Sequence, residues 1–278
     1  MQRECDYPGD ECPANRLSLI SAVVVESSKT VHQMTGKIKL LVIIPAYNEE
    51  ESVRSVIGQV REAVPRADIL VVDDGSSDGT AVVAREEGVF VISLVRNLGI
   101  GAAVQTGYIF AFERGYHVAV RVDGDGQHDA REIPLLVSTL LEGDADVVVG
   151  SRFLTDGEFR TSFARRVGIG ILARLISVVT GQSVTDPTSG FQAAGHDAIR
   201  FLAEEYPHDY PEPEGRVLLR RAGLKVKEVP VSMNPRLAGR SSITPFVSLY
   251  YMTKVILAVL VDLLRKPPQR SREDDAKD

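Results

Sequence analysis

The sequence predicts an α/β fold with a mainly parallel sheet flanked by helices, and three features carry that prediction. Five short apolar runs, at residues 40–44, 69–72, 89–95, 118–122 and 145–149, alternate with segments of helical length. The runs are nearly continuous in Val, Ile and Leu instead of alternating with polar residues, which is the pattern of strands buried on both faces. Polar or glycine-rich turns follow the first four runs, and open α/β sheets bind ligands outside the carboxyl ends of their strands.

In chain order, residues 40–44 form the first strand, and Pro45, Ala46, Tyr47 and Asn48 turn the chain. Asn48 and Glu51 stand at capping-box spacing and predict a helix from there to about Arg61. The second strand, 69–72, ends in Asp73 and Asp74, and a helix runs on to about Glu87. After the third strand, Gly99 and Gly101 open a helix to about Arg114. The fourth strand stops abruptly at Asp123, Gly124 and Asp125, and Asp129 with Glu132 has capping-box spacing ahead of a helix over 130–141.

Beyond Gly150, Ser151, Arg152 and Phe153 the regular alternation ends. A basic helix carries Arg165, Arg166 and Arg174 among Ile169, Ile171, Leu172, Leu175 and Ile176. A loop over 185–192, helices at 198–204 and 214–222, and a strand at 225–231 follow, then a loop holding Arg236 and Arg240. The expected organisation is a disordered extension over 1–36, an α/β domain over 37–243, an apolar helix over 244–266 and a disordered tail over 267–278. Met34, just ahead of the first strand, is a natural alternative start.

Composition removes several function classes. A net charge of −6 argues against a general nucleic-acid binder. Cys5 and Cys12 both lie in the extension, so the body has no internal disulfide and a reducing, cytoplasmic setting is expected. The first residues are acidic at Glu4, Asp6, Asp10 and Glu11, unlike a secretory signal. The five histidines have no cysteine partners at zinc spacing. Lys254 and Asp262 interrupt the last helix, which suits a membrane interface, with Tyr250, Tyr251 and the following basic residues at the surface, or packing on the domain or a second subunit.

The chemistry concentrates at Asp123, Gly124 and Asp125. Two carboxylates separated by one glycine can face one small volume, and such oxygen donors suit Mg²⁺ or Mn²⁺ shared with substrate phosphates. Without a cation the two would repel each other. Asp129 is explained by helix capping; Asp123 and Asp125 are not.

The chain resembles glycosyltransferase family 2, inverting enzymes with a GT-A fold. The matching stretches are 42–50, 71–80, Asp123 to Gln127, and Gly150 to Phe153. Within the family it is most similar to the dolichyl- and polyprenyl-phosphate sugar synthases, through 186–191, 228–231, and Arg236 followed by Gly239 and Ser241. The resemblance spans about residues 38 to 245 and is more specific for the family than for the sugar.

By this resemblance, Pro45, Ala46, Tyr47, Glu49 and Gly101 line the pocket of a UDP- or GDP-linked sugar, with Asp73 and Asp74 near base and ribose. Asp123, Asp125 and Gln127 form the metal and diphosphate motif. Arg152 and Arg166 hold the phosphate of a polyprenyl phosphate acceptor, and Arg236 closes over the donor phosphates. The implied setting is the inner face of the membrane, with a homodimer or a membrane-protein partner as further expectations. Three positions depart from the pattern: Ile100 and Ser242 where lysine is frequent, and Gly170 where serine often helps bind the acceptor.

An anionic phosphate acceptor needs little general-base help, so arginine positioning matters more than a catalytic carboxylate. A hydroxyl acceptor would need a base, for which Asp209, Glu212 and Glu214 are the candidates; otherwise that acidic run reads as a solvated loop and helix start. A dehydrogenase reading fails because Val104 occupies the third glycine position of the dinucleotide fingerprint, and no P-loop is present. A processive polysaccharide synthase would carry several spanning helices and a tryptophan-containing motif, and the chain has no Trp. A non-catalytic binding module would not need Asp123, Asp125 and Gln127 together.

Overall fold

The structure, a computed structural model, describes residues 38–154, 163–207, 210–234, 254–258 and 261. The expected extension over 1–36, Asp209, the loop with Arg236 and Arg240, and most of the C-terminal helix and tail lie outside these residues.

The central strand is β1 (Leu40–Ala46), buried along its whole length. It pairs in parallel with β2 (Asp68–Asp73) on one side and β4 (Val118–Arg121) on the other, and β3 (Phe90–Ser93) adds to β2. The full order is β3-β2-β1-β4-β6-β5-β7, with β5 at Val147–Ser151, β6 at Gln192–Gly195 and β7 at Val226–Pro230. The register sets Ala46 beside Asp73, Asp73 beside Ser93 and Ile43 beside Arg121, so the carboxyl ends of β1 to β4 share one rim.

Helices cover both faces: α1 (Val53–Ala63), α2 (Thr80–Glu86), α3 (Ile100–Glu113), α4 (Ile133–Leu141), α5 (Phe163–Thr180), α6 (His196–Glu204) and α7 (Pro211–Arg221). On α1, Val53, Val56, Ile57 and Val60 are buried at helical spacing. They pack with the Val42, Ile44, Val118, Val120 and Val122 face of the sheet. The opposite face, Leu41, Ile43, Leu70, Val72 and Ala119, packs on α3 and α6 through residues such as Tyr108, Ile199 and Leu202. A third cluster joins Leu172 and Ile176 of α5, Val217 of α7 and Val255.

Strand β6 departs from the sequence reading, which placed no strand there. It runs antiparallel between β4 and β5, with Arg121 beside Gln192. Ala193 packs into one core and Ala194 into the other. Crowding from both faces favours small residues, so the strand has no branched apolar run to betray it. Its reversed direction delivers Gly190 and Phe191 to the carboxyl rim of β4.

The expected capping box at Asn48 is also corrected. Helix α1 starts at Val53, with Ser52 at the N-cap position. Asn48 has a left-handed backbone (φ 55°), and its Oδ1 accepts from the Ser77 N–H at 2.9 Å. A turn closed by Ser52 N–H to the Glu49 carbonyl at 3.1 Å separates it from the helix. Asp129 does cap, accepting from the Arg131 N–H at 3.0 Å over a short 3-10 turn before α4. Glu132 completes no box; its carboxylate accepts from the Ser232 N–H at 3.3 Å.

Candidate active site

Four turns meet at the carboxyl rim. Pro45 and Ala46 end β1 in the buried layer, while Tyr47 stands 47% exposed above them. The Glu49 N–H donates to Thr80 Oγ1 at 2.8 Å, and its carboxylate accepts from Ser52 Oγ at 2.6 Å. Asp73 and Asp74 are both buried. The Asp74 carboxylate accepts from the Leu98 and Gly99 N–H groups at 2.8 and 2.9 Å, and Asp73 accepts from the Ser76 N–H at 3.0 Å. Both acids hold the turns of their neighbours in place. Gly101 is buried in the first turn of α3.

Gly124 sits against the end of β1, where an added Cβ would lie 3.1 Å from the Pro45 carbonyl oxygen and 3.3 Å from the Ala46 Cβ. A side chain here would crowd the end of β1, so glycine suits the close approach of the turn. Ser52 Oγ lies 2.7 Å from the Gly124 carbonyl oxygen, its one proton shared between that oxygen and the Glu49 carboxylate, and ties the turn to the start of α1. Asp125 accepts from the Gln127 N–H at 2.9 Å and is buried, whereas the Asp123 side chain is one-third exposed. Met233 bridges His128 in an antiparallel pair, and the Asn234 N–H donates to the Gln127 carbonyl at 2.8 Å.

A cationic network lies beneath Asp123. Arg121, with its side chain 3% exposed, places Nη2 and Nε each 3.1 Å from Asp123 Oδ1 and Nη1 2.9 Å from Glu212 Oε1. Burial opposes the Arg121 charge, but Asp123 and Glu212 outweigh it and raise its pKa well above the usual value. Burial pushes the Asp123 carboxyl up, yet Arg121 and then His128 hold it below the ordinary carboxylate range. His128 Nδ1 accepts from the Asp123 N–H at 2.9 Å, and its ring stacks on Phe191 with centroids 4.9 Å apart. Burial lowers the His128 pKa, outweighing the opposing pull of Asp123.

Arg152 faces the same rim from β5. Its Nε and Nη2 lie 2.6 and 2.7 Å from the two oxygens of Asp186, which is fully buried, and Nη2 also donates to Thr188 Oγ1 at 2.6 Å. Burial raises the Asp186 pKa, but Arg152 and the surrounding hydrogen bonds lower it overall. The loop bearing Asp186 rests on Glu228, which accepts from the Thr185 N–H at 2.8 Å and from Arg216 Nη2 at 2.9 Å. Arg166 lies on the exposed side of α5, in line with Arg174 and with Val167, Ile171 and Val178, which are 45%, 56% and 77% exposed.

The model of glycosyl transferase family 2 matches residues 41–201, which hold these turns and the Asp123 to Gln127 motif. The chain belongs to glycosyltransferase family 2. The glycosyltransferase is 32% identical over 216 residues to an undecaprenyl-phosphate mannosyltransferase of Micrococcus luteus, covering 74% of this chain and 88% of that one. It is 34% identical over 220 residues to the polyprenol monophosphomannose synthase of Mycolicibacterium smegmatis, covering 74% and 81%. Glucosyl-3-phosphoglycerate synthase from Mycobacterium tuberculosis, solved with Mn²⁺, uridine diphosphate and its product, superposes with a TM-score of 0.63 at 23% identity. That superposition covers 86% of this chain and 83% of the other, and it shows a shared GT-A fold.

Sequence reasoning missed Arg121, His128 and Asp186 as members of this site of the glycosyltransferase, and it took Glu212 for a solvated residue. Glu212 is 16% exposed and ion-paired. A charged residue inside an apolar strand, as Arg121 is within 118–122, was the available signal. Among the described residues no group of three or more His, Cys, Asp or Glu could hold a metal by itself. Two carboxylates from one turn fit a hard divalent cation whose remaining ligands come from a diphosphate and water.

Proposed function

We propose that this glycosyltransferase moves a hexose-type sugar, with inversion, from a nucleotide-diphosphate sugar to a polyprenyl or dolichyl phosphate. The observation that carries the reading is the Asp123–Gly124–Asp125 turn, pressed against the end of β1 at the rim where four turns converge. The named lipid-phosphate enzymes among its relatives support the acceptor class.

In this reading Pro45, Ala46, Tyr47 and Glu49 line the nucleotide pocket, and Asp123, Asp125 and Gln127 hold Mg²⁺ or Mn²⁺. The cation, when bound, neutralises charge developing on the leaving diphosphate. Arg236, which lies outside the described residues, is assigned a positive charge for the same diphosphate. Asp74, given over to the Leu98 and Gly99 amides, shapes the ribose side of the pocket through that turn. Arg152 and Arg166 orient the acceptor phosphate, whose oxygen attacks the anomeric carbon as the diphosphate departs. That oxygen is already anionic, so no side chain has to remove a proton.

The acceptor headgroup stays at a bilayer surface, so the enzyme works peripherally at the inner face of the membrane. The exposed line of Val167, Ile171 and Val178 with Arg166 and Arg174 is suited to that contact. No helix among the described residues is long and apolar enough to cross a membrane.

The test incubates the protein with a panel of nucleotide sugars, Mg²⁺ or Mn²⁺ and a short polyprenyl phosphate, with lipid products read by mass spectrometry. A glycosylated lipid phosphate is expected, and Asp125→Ala is expected to abolish it while retaining the fold. Undiminished turnover by Asp125→Ala or in excess chelator would remove the metal from the mechanism; transfer only to hydroxyl acceptors would replace the lipid phosphate.

A further inference from the structure

Arg121 is a cation set into a strand of valines, and burying it without partners would be costly. The structure gives it two carboxylates: Asp123 Oδ1 at 3.1 Å and Glu212 Oε1 at 2.9 Å. Its guanidinium also lies on the backbone of Gly190, where an added Cβ would be 2.6 Å from Nη2. The group is therefore fixed by both acids and by the loop that precedes β6.

Glu212 belongs to the first turn of α7, and Arg216, one turn further on, is also buried. Arg216 Nη2 lies 2.9 Å from Glu228 and 3.2 Å from the Asp186 carbonyl, and the Asp186 side chain holds Arg152. One helix thus reaches Asp123 through Arg121 at one end and the Arg152 loop through Glu228 and Asp186 at the other. Residues four apart lie on one helix face, so Glu212 and Arg216 address the site together.

We propose that Arg121 and Glu212 are a positioning pair, which fixes the Asp123 carboxylate in the orientation needed for a divalent cation and a donor diphosphate, with α7 as the brace. This rests on the assignment of Asp123 and Asp125 to the metal. Neither Arg121 nor Glu212 touches a reacting group; both act through Asp123.

The experiment follows free Mn²⁺ by electron paramagnetic resonance while Mn²⁺ is titrated into the full chain with UDP, and separately with GDP. The variants are Glu212→Ala, Glu212→Gln, Arg121→Lys and Asp125→Ala, each with its melting temperature. Outer partners of metal ligands are typically worth about 10- to 100-fold in metal affinity. Glu212→Ala and Arg121→Lys are expected to raise the half-saturating Mn²⁺ about tenfold or more. Glu212→Gln keeps a neutral acceptor for Nη1; it is expected to retain the fold and to shift Mn²⁺ binding the same way by a smaller factor. If Asp125→Ala loses Mn²⁺ while the Glu212 and Arg121 variants bind it unchanged, the positioning pair is wrong and the metal assignment stands. Asp125→Ala binding as tightly as the unaltered protein would overturn both. Lost turnover in Glu212→Gln at saturating Mn²⁺, with unchanged Mn²⁺ affinity, would make Glu212 a proton acceptor instead.

Discussion

Changing Asp186 to Asn should destabilise the protein far more than a typical polar substitution. Asp186 is fully buried and accepts from Arg152 Nε and Nη2 at 2.6 and 2.7 Å, from the Arg152 N–H at 3.2 Å, and from the Thr188 N–H at 3.3 Å. Asparagine keeps the shape but replaces one acceptor with an NH₂ that must face an arginine donor, and it removes the negative charge 2.6 Å from the guanidinium. Removing one partner of a buried pair costs about 3–5 kcal/mol. The Arg152 side chain is 12% exposed, so water can reach part of the guanidinium and the low end, about 3 kcal/mol, applies. For a domain of this size that corresponds to a fall of about 6–12 °C in melting temperature, read by circular dichroism. The double variant Arg152→Met with Asp186→Asn should recover part of the loss, because the guanidinium no longer faces an NH₂. A melting temperature for Asp186→Asn within about 2 °C of the unaltered protein would refute this reasoning.

Gly190→Ala sets a methyl 2.6 Å from Arg121 Nη2; with the guanidinium held by Asp123 and Glu212, a destabilisation of about 1–3 kcal/mol is expected in urea unfolding. His128 has a folded-state pKa below its unfolded value, so the unfolded chain binds more protons between the two. Stability should be flat above about pH 6.5 and fall as the pH drops below it, and His128→Gln should flatten that slope in urea titrations at pH 7 and 5.5. Arg166→Ala removes an exposed charge, so the acceptor KM should rise only about two- to fivefold with the donor KM unchanged; equal shifts in both would remove Arg166 from the acceptor site.

Much of the fold was legible because burial leaves a periodic trace. Strands β1, β2 and β4 read as continuous apolar runs since helices cover both their faces, and α1 reads from Val53, Val56, Ile57 and Val60. Boundaries failed where local chemistry had two uses. Asn48 has the side chain of a helix cap, but its left-handed backbone and its bond to Ser77 give it to the turn between β1 and β2. Strand β6 failed for a different reason: Gln192, Ala193, Ala194 and Gly195 are small where two cores close in, so the residues that mark a strand elsewhere are excluded here.

The candidate site divides along the same physical line. Asp123 and Asp125 stood out in the sequence because two acids flank a glycine at the end of an apolar strand. Arg216 did not, because it has an ordinary surface reading until the chain is folded; Arg121 showed only as a charge in an apolar strand, and Glu212, Asp186 and Glu228 were named without the pairings that hold them. What joins them is the reversal at β6, which brings the 185–191 loop to the rim of β4 beside α7. Charge pairing across 91 positions, as between Arg121 and Glu212, leaves no periodic signal, and under the proposed positioning pair it sets where Asp123 points. The turn supplies the carboxylates, and the network beneath it supplies their geometry. Variants at Glu212 should therefore be read for metal and donor affinity before they are read for catalysis.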